Sequence, residues 1–166
     1  MHSSIASRSD GFGVYDCDPS YNWCGAFAHW CWKQAAAIKG VQNPFGANNN
    51  VLLSPQKAIS WAMREDTPLQ LLRYQGGNPM TGKGTQEYRE IGYNGYFLER
   101  GDIVLLREGS ASGWKHVCMI NSVNGSQLQT MDGNQGKGQS IKLVKRSLDD
   151  KVADGSPKLV FVHVTL

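Results

Sequence analysis

The spacing of apolar side chains differs between the two halves of the chain. In the first half they recur every three or four residues between positions 23 and 38, which predicts a helix over 23–38. Asn22 is its candidate N-cap and Gly40 ends it. A second helix is predicted within "SPQKAISWAMRE", opened by Ser54 as cap and Pro55 in the first turn. A short helical piece is predicted around "PLQLLRY".

The second half contains short runs typical of strands, separated by Gly, Asn and Asp turns. The runs are "GDIVLLRE", "KHVCMINSV", "QLQTMD", "QSIKLVKR" and "KLVFVHVTL". Because no helix intervenes between them, we expect an antiparallel sheet. Residues 75 to 85 have the composition of a loop. The pattern as a whole predicts an α+β fold with helices first and the sheet second.

Length, composition and charge predict a single domain and argue against a nucleic-acid-binding protein or a membrane-spanning protein. The 166 residues suit one domain over residues 1–166. The net charge of +3 is spread along the chain without a Lys/Arg block, so we expect no nucleic-acid partner. No apolar run reaches the roughly 18 residues of a transmembrane helix. The start, "MHSSIASRSDGFG", lacks the apolar core of a Sec signal peptide.

Four cysteines, Cys17, Cys24, Cys31 and Cys118, raise the question of thiol chemistry. They are too few for a disulfide scaffold, and their spacing does not fit a zinc finger or ribbon. Cys24 lies in the first turn of the predicted helix, where N–H groups and the helix dipole stabilise a thiolate. Cys31 lies two turns deeper. Cys24 is therefore the candidate nucleophile, and a small buried hydrophobic residue is the alternative.

A nucleophilic thiol needs a base, and His116 is the best-placed histidine. It begins a predicted strand beside the loop "REGSASGWK", where we expect a cleft. His29 lies on the same helix as Cys24 but about 140° around it, so the two side chains diverge. His163 is interpreted as a packed strand residue, and His2 lies at the chain start.

A third residue would orient the imidazole of His116. An Asn-Gly turn signal separates the two strand-like runs "HVCMINSV" and "QLQTMD". A three-residue loop over 123–125 would place His116 directly across from Asp132, with Asn134 on the same face. A two-residue turn would send Asp132 to the other face. In the first register, Asp132 can hold the imidazole in the tautomer that takes a proton from sulfur.

Four segments in this order resemble the CHAP family of cysteine- and histidine-dependent amidohydrolases/peptidases: "NWCGAFAHWCWKQA", "ERGDIVLL", "WKHVCMI" and "TMDGN". The resemblance covers about residues 21 to 135. It implies a papain-like, NlpC-type α+β fold, in which the nucleophile begins a helix packed on an antiparallel sheet. It also implies that Cys24 is the nucleophile, His116 the base, Asp132 the orienting acid and Asn134 the asparagine that follows it.

Two positions depart from the family pattern. Relatives commonly have Gly before the histidine and a small residue two places after it, where this chain has Lys115 and Cys118. Cys118 should share a face with His116, either as packing or as a second sulfur at the cleft. Trp114 either lines the cleft or is an exposed loop residue.

The resemblance implies amide bonds of bacterial peptidoglycan as the substrate, within the stem peptide or between muramic acid and L-alanine. We expect the backbone N–H of Cys24 to hold the oxyanion together with a donor from Tyr21 or Asn22. No cofactor is expected. Some CHAP lysins bind Ca²⁺ before the nucleophile, and Asp16 and Asp18 are the alternative calcium ligands here. Against calcium, Pro19 stiffens that loop and no Gly supplies a sharp turn.

The chain shows no wall-binding repeat and no signal peptide. In this it is similar to type VI secretion effectors, which are delivered into the periplasm of a rival bacterium and commonly have a cognate immunity protein. A phage lysin is the alternative setting. Two other classes stay open: a papain-like protease or deamidase acting on a protein substrate, and a non-enzymatic module that retains the fold.

Overall fold

The computed structural model of the protein describes residues 23–47, 51–74, 89–91, 98–110, 112–135 and 140–165. These residues form an α+β fold in which two helices pack on one sheet. The helices are α1 (Cys24–Lys39) and α2 (Pro55–Ala62). The strands are β1 (Leu69–Tyr74), β2 (Arg89–Ile91), β3 (Ile103–Arg107), β4 (Trp114–Asn124), β5 (Gln127–Gln135), β6 (Ser140–Ser147) and β7 (Leu159–Val164).

The seven strands form one sheet in the order β2-β1-β7-β3-β4-β5-β6. The five strands predicted from the second half are all present and pair antiparallel with their neighbours. Strands β1 and β2 extend this sheet at one edge, and they pair parallel to each other. The sheet is therefore mixed at that edge and antiparallel elsewhere.

The helix predicted around "PLQLLRY" is wrong, because this segment is strand β1 and pairs antiparallel with β7. Leu71 is buried on the helix side of the sheet and Leu72 on the opposite side. A strand buried on both faces lacks the apolar–polar alternation that identifies strands in a sequence. The short strand β2 was not predicted either.

Both predicted helices are confirmed, with one correction at the start of α1. The N-cap residue is Trp23 rather than Asn22, and its side chain makes no capping hydrogen bond. At the other end Gly40 has the left-handed conformation (φ 67°) that closes a helix without a Cβ penalty. In α2 the hydroxyl of Ser54 accepts a hydrogen bond from the Lys57 N–H at 3.2 Å, as the sequence predicts.

Apolar side chains pack on both faces of the sheet, as strand β3 shows. Ile103 and Leu105 join the core beneath the helices, whereas Val104 and Leu106 join a second cluster on the far side. Helix α1 covers β4 and β5, and α2 covers β4, β1 and β7. The start of α1 is thereby held against the central strands of the sheet.

A close backbone contact fixes the first turn of α1. A Cβ atom placed on Gly25 would lie 1.7 Å from the carbonyl oxygen of Leu52. Only glycine fits at this position, because any side chain would overlap the backbone of the segment that precedes α2. The residue after Cys24 is therefore locked to that segment.

Neither described helix combines the length and the apolar character of a membrane span. The loop predicted over residues 75 to 85 falls outside the described residues.

Candidate functional site

Cys24 is the first residue of α1, and the residue is 5% exposed. Its thiol lies within hydrogen-bonding reach of the His116 side chain and of the backbone N–H groups of Val117 and Gly25. Burial opposes the thiolate, but the hydrogen bond and the charge of His116, together with these N–H groups, lower the pKa of Cys24. The arrangement favours a thiolate next to an imidazolium.

His116 connects the thiol to a carboxylate. Its Nε2 donates to Oδ2 of Asp132 at 2.9 Å, which leaves Nδ1 as the ring nitrogen available to the Cys24 thiol. Burial disfavours the imidazolium, but hydrogen bonds and charge from Asp132 and Cys24 raise the pKa of His116 to about 9. His116 is therefore expected to carry a proton at neutral pH.

Asp132 is completely buried on β5 and is kept ionised by its neighbours. Arg146 Nη2 donates to Oδ2, and the Thr130 hydroxyl donates to Oδ1 at 2.5 Å. Burial raises the cost of a charge here, but bonds from His116 and Thr130 and the charge of Arg146 lower the pKa of the carboxyl. Asp132 thus carries a negative charge that stabilises protonated His116.

The predicted register between β4 and β5 is wrong. The strands are joined by a two-residue turn, since Asn124 pairs with Gln127. Gly125 is left-handed (φ 59°), as predicted. Continuing the register from the pair Met119–Met131 places Cys118, and not His116, beside Asp132. His116, two residues before Cys118 on the same face, therefore reaches Asp132 diagonally.

Asp132 nevertheless lies on the predicted face, and a β-bulge explains why. The register shifts between Ile120 and Ser122, where β4 has one extra residue, Asn121. The two-residue turn alone would have turned Asp132 to the opposite face. The extra residue restores the alternation, so the turn and the bulge compensate for each other.

Arg146 was not predicted from the sequence. It lies on β6 opposite Leu128, on the face that also carries Thr130 and Asp132. Its Nε donates to the Thr130 hydroxyl at 3.0 Å, and its side chain is only 13% exposed. The need for such a residue could have been inferred, because a buried ionised carboxylate such as Asp132 needs a hydrogen-bond donor in addition to histidine. Choosing Arg146 among the basic residues required the β5–β6 register.

Cys118 shares a face with His116, as expected, and it is fully buried in the cluster on the far side of the sheet. Burial and the charge of Asp132 raise the pKa of its thiol well above the ordinary range. Donor atoms of His116, Cys118 and Asp132 all lie within 4.8 Å of one another. Arg146 already occupies this carboxylate, and a thiol that resists ionisation is a poor ligand, so the group suits proton transfer better than metal binding.

Cys31 and the remaining histidines lie in different environments. Burial raises the pKa of Cys31 to about 11, in contrast to Cys24 on the same helix. His29 is buried, with Nε2 3.3 Å from the carbonyl oxygen of Gly46. His163 Nδ1 pairs with the carboxylate of Asp102 at 2.9 Å.

Several predicted residues are described partly or not at all. Trp114 is the first residue of β4, so the prediction of an exposed loop residue is wrong. It is half-buried against the core beneath the helices, and the Arg107 guanidinium lies 4.5 Å from the centroid of its ring. Its place in a cleft stays a prediction. The backbone of Asn134 belongs to β5, and nothing further is described of this residue. The other candidates lie outside the described residues: Tyr21, Asn22, Asp16, Asp18, Cys17 and His2.

Comparisons with known proteins assign no family to the chain. No family model matches it, and no curated protein matches it. A solved structure described as "The crystal structure of Ly7917" aligns with 86% of this chain and 53% of its own, at 14% identity and a TM-score of 0.45. The chain thus spans about half the length of that structure.

Proposed function

We propose that the protein is a cysteine amidase or endopeptidase that cleaves an amide bond of bacterial peptidoglycan. The observation that carries the proposal is the continuous chain of contacts from the Cys24 thiol through His116 to Asp132, backed by Arg146. A thiol at a helix start, an imidazole and an ionised carboxylate in this order are what thioester chemistry requires. The substrate class comes from the sequence resemblance to CHAP domains, together with the papain-like fold that it implies.

The reaction starts from the ion pair, in which the proton of the Cys24 thiol already lies on Nδ1 of His116. The thiolate attacks the amide carbonyl carbon, and a C–S bond forms as the carbonyl electrons move onto oxygen. The N–H of Cys24 and a donor upstream, from Tyr21 or Asn22, hold this oxyanion. The ionised carboxylate of Asp132 stabilises the imidazolium throughout this step.

In the second half, the oxyanion collapses and the C–N bond breaks. His116 gives its proton to the leaving nitrogen, so a free amine departs and a thioester remains on Cys24. His116, now neutral, takes a proton from water, and the resulting hydroxide attacks the thioester. The C–S bond then breaks, a carboxylic acid leaves, and the Cys24 thiolate is again paired with protonated His116.

The proposal includes a setting. We place the protein among antibacterial effectors that are delivered into the periplasm of a target cell, with a phage lysin as the alternative source. A cognate immunity protein that blocks the site near Cys24 is then the expected protein partner. No metal is required by the chemistry above, and calcium at Asp16 and Asp18 stays the alternative to a metal-free protein.

The test is digestion of purified Gram-negative peptidoglycan, read by liquid chromatography and mass spectrometry. Wild type is compared with Cys24→Ala and with the matched control Cys31→Ala, which removes a thiol from the same helix. We expect new fragments from wild type and Cys31→Ala and none from Cys24→Ala. The fragment masses identify the bond that is cut.

An unchanged profile with folded wild-type protein would reject this substrate. Cleavage or deamidation of a protein substrate, with peptidoglycan intact, would select a papain-like enzyme of another specificity. Wild-type behaviour of Cys24→Ala in every assay, with no bond cleaved by either protein, would select a non-enzymatic module.

A further inference from the structure

A concave surface lies beside the exposed side of α2. It is a groove of about 520 Å³, within the size range of small-molecule sites. None of the described residues that line it belongs to the Cys24 site. Phe45 and Trp61 supply aromatic surface, Lys57 and Arg64 supply positive charge, and Gln56 and Ser60 supply polar groups.

The charge of the groove has one sign. None of the described lining residues is acidic, whereas Lys57 and Arg64 are cationic. The Arg64 guanidinium lies 4.3 Å from the centroid of the Trp61 ring, so charge and aromatic surface are adjacent. Arg64 also pairs with Asp66, but both side chains are about half exposed or more, at 47% and 66%. Such an exposed pair exchanges easily for a carboxylate on a ligand.

The groove shares its supporting contacts with the start of α1. Val51 lines the groove, and the next residue, Leu52, meets Gly25 directly after Cys24. Gly46 also lines the groove, and its carbonyl oxygen lies 3.3 Å from Nε2 of His29, one turn along α1 from Gly25. The wall of the groove therefore contacts the first two turns of α1, which also carry Cys24.

We propose that this groove is a substrate subsite, which binds the carboxylate-bearing part of the peptidoglycan peptide whose amide bond is presented to Cys24. The inference rests on the proposed function and names what the substrate must carry. Stem peptides of the wall contain free carboxylates, and Lys57 and Arg64 can pair with these. The same peptides have apolar surface that can pack on Trp61. Binding remote from the reacting bond positions that bond for attack.

The test uses Lys57→Ala/Arg64→Ala and a control with the same change in charge, Lys33→Ala/Lys39→Ala, on exposed positions of α1 that do not line the groove. Binding of a soluble disaccharide tetrapeptide is measured by calorimetry in a Cys24→Ala background, and kcat and KM are measured with Cys24 present. We expect Kd and KM to rise about tenfold in the groove variant, while kcat changes much less. The control should change Kd and KM less than about twofold. A ligand whose stem carboxylates are amidated should bind wild type about as weakly as the normal ligand binds the groove variant.

Equal Kd and KM in the groove variant and the control would overturn the subsite while leaving the proposed function intact. If wild type hydrolyses no peptidoglycan, the proposed function fails, and calorimetry alone decides the groove. Carboxylate-dependent binding that is lost in the groove variant would then support the groove as a carboxylate-binding site but reject its role as a subsite for Cys24. Absence of such binding would reject it.

Discussion

Two histidine–aspartate pairs lie in the same sheet, His116 with Asp132 and His163 with Asp102. In each pair a ring nitrogen lies 2.9 Å from a carboxylate oxygen, and each carboxylate is almost completely buried, with Asp132 0% and Asp102 2% exposed. The histidines use different atoms: His116 bonds through Nε2 and His163 through Nδ1. Only His116 has a thiol within reach of its other nitrogen among the described residues.

The carboxylates differ in what else they contact. Asp132 receives a guanidinium from Arg146, whereas Asp102 receives backbone N–H groups from Glu99 at 2.8 Å and Val164 at 3.2 Å. Burial raises the pKa of Asp102, and its hydrogen bonds do not compensate. At Asp132 they do, and the pKa of that carboxyl is lowered. A close His–Asp contact therefore does not by itself define a reactive site.

This comparison assigns different tasks to the two pairs. Asp102 ties the start of β3 to the end of β7, which is a structural link between neighbouring strands. Asp132 has a positive charge behind it and an imidazole in front, so it stays ionised where no water reaches it. The proposed chemistry needs that fixed charge, because it keeps a proton on His116 while Cys24 is a thiolate.

The largest expected effect separates the two histidines. His116→Ala should lower kcat/KM on peptidoglycan fragments about 10³-fold or more, because the proton acceptor and donor is lost. His163→Ala should keep activity within about threefold and lower the free energy of unfolding by about 1–3 kcal/mol, since Asp102 loses a partner. Turnover assays and urea unfolding measure both quantities. Equal losses of activity in two folded variants would remove the distinction between the pairs.

The second prediction concerns the two thiols of α1. A thiol with a pKa of about 11, such as Cys31, is about 10⁻⁴ ionised at pH 7. Because the pKa of Cys24 lies below the ordinary value, iodoacetamide should label Cys24 about a hundredfold faster than Cys31 at neutral pH. Peptide mapping by mass spectrometry measures the two rates.

The same experiment tests the histidines. His116→Ala should slow labelling of Cys24 and move its midpoint to higher pH, and His163→Ala should leave both unchanged. Turnover should fall above about pH 9 as His116 loses its proton, while labelling of Cys24 continues. Similar labelling rates for Cys24 and Cys31 in the wild type would contradict the ion pair.

Local patterns were sufficient for much of this architecture. The period of apolar residues located α1 and α2, and alternation with turn residues located the five strands of the second half. The position of Cys24 at the start of a helix is a local property, so it too was readable from the sequence. These features depend on residues that are close together in the chain.

Long-range pairing was not readable in the same way. The β4–β5 register was wrong because neither the length of the turn nor the bulge at Asn121 can be read from an alternation pattern. The net shift, from His116 to Cys118 opposite Asp132, is even, so Asp132 stays on the predicted face. Arg146 was missed because its contact with Asp132 depends on the β5–β6 register. Strand β1 was missed because it is buried on both faces.

The third prediction concerns a variant in which the His116–Asp132 pair resembles the His163–Asp102 pair. Arg146→Met leaves Asp132 buried with His116 and Thr130 but without a guanidinium, as Asp102 is. We expect a loss of about 3 kcal/mol in the free energy of unfolding and about a tenfold loss in kcat. Because the pKa of Asp132 then rises, the acid limb of the pH–rate profile should move to higher pH. Arg146→Lys should recover part of both losses. A variant that is only less stable, with an unchanged pH profile, would limit Arg146 to packing.

The smallest expected effect on activity is that of replacing the Asp102 carboxylate. Asp102→Asn should keep activity within about twofold and lower the free energy of unfolding by about 1–2 kcal/mol, because one oxygen that accepts a backbone N–H is replaced by an amide nitrogen.

The pH dependence of the free energy of unfolding then separates the two pairs by the sign of its slope. Asp132 has a lowered folded-state pKa, so it stabilises the fold above its unfolded value of 3.8 and loses this as pH falls through the folded value. Asp102 has a raised pKa, so the folded state holds its proton more tightly and stability falls as pH rises from 3.8 through the folded value. Urea unfolding at a series of pH values should therefore show that Asp102→Asn and Asp132→Asn change the slope in opposite directions. Slopes that change in the same direction would mean that both carboxylates have the same electrostatic environment, and the contrast between a charged and a structural pair would be lost.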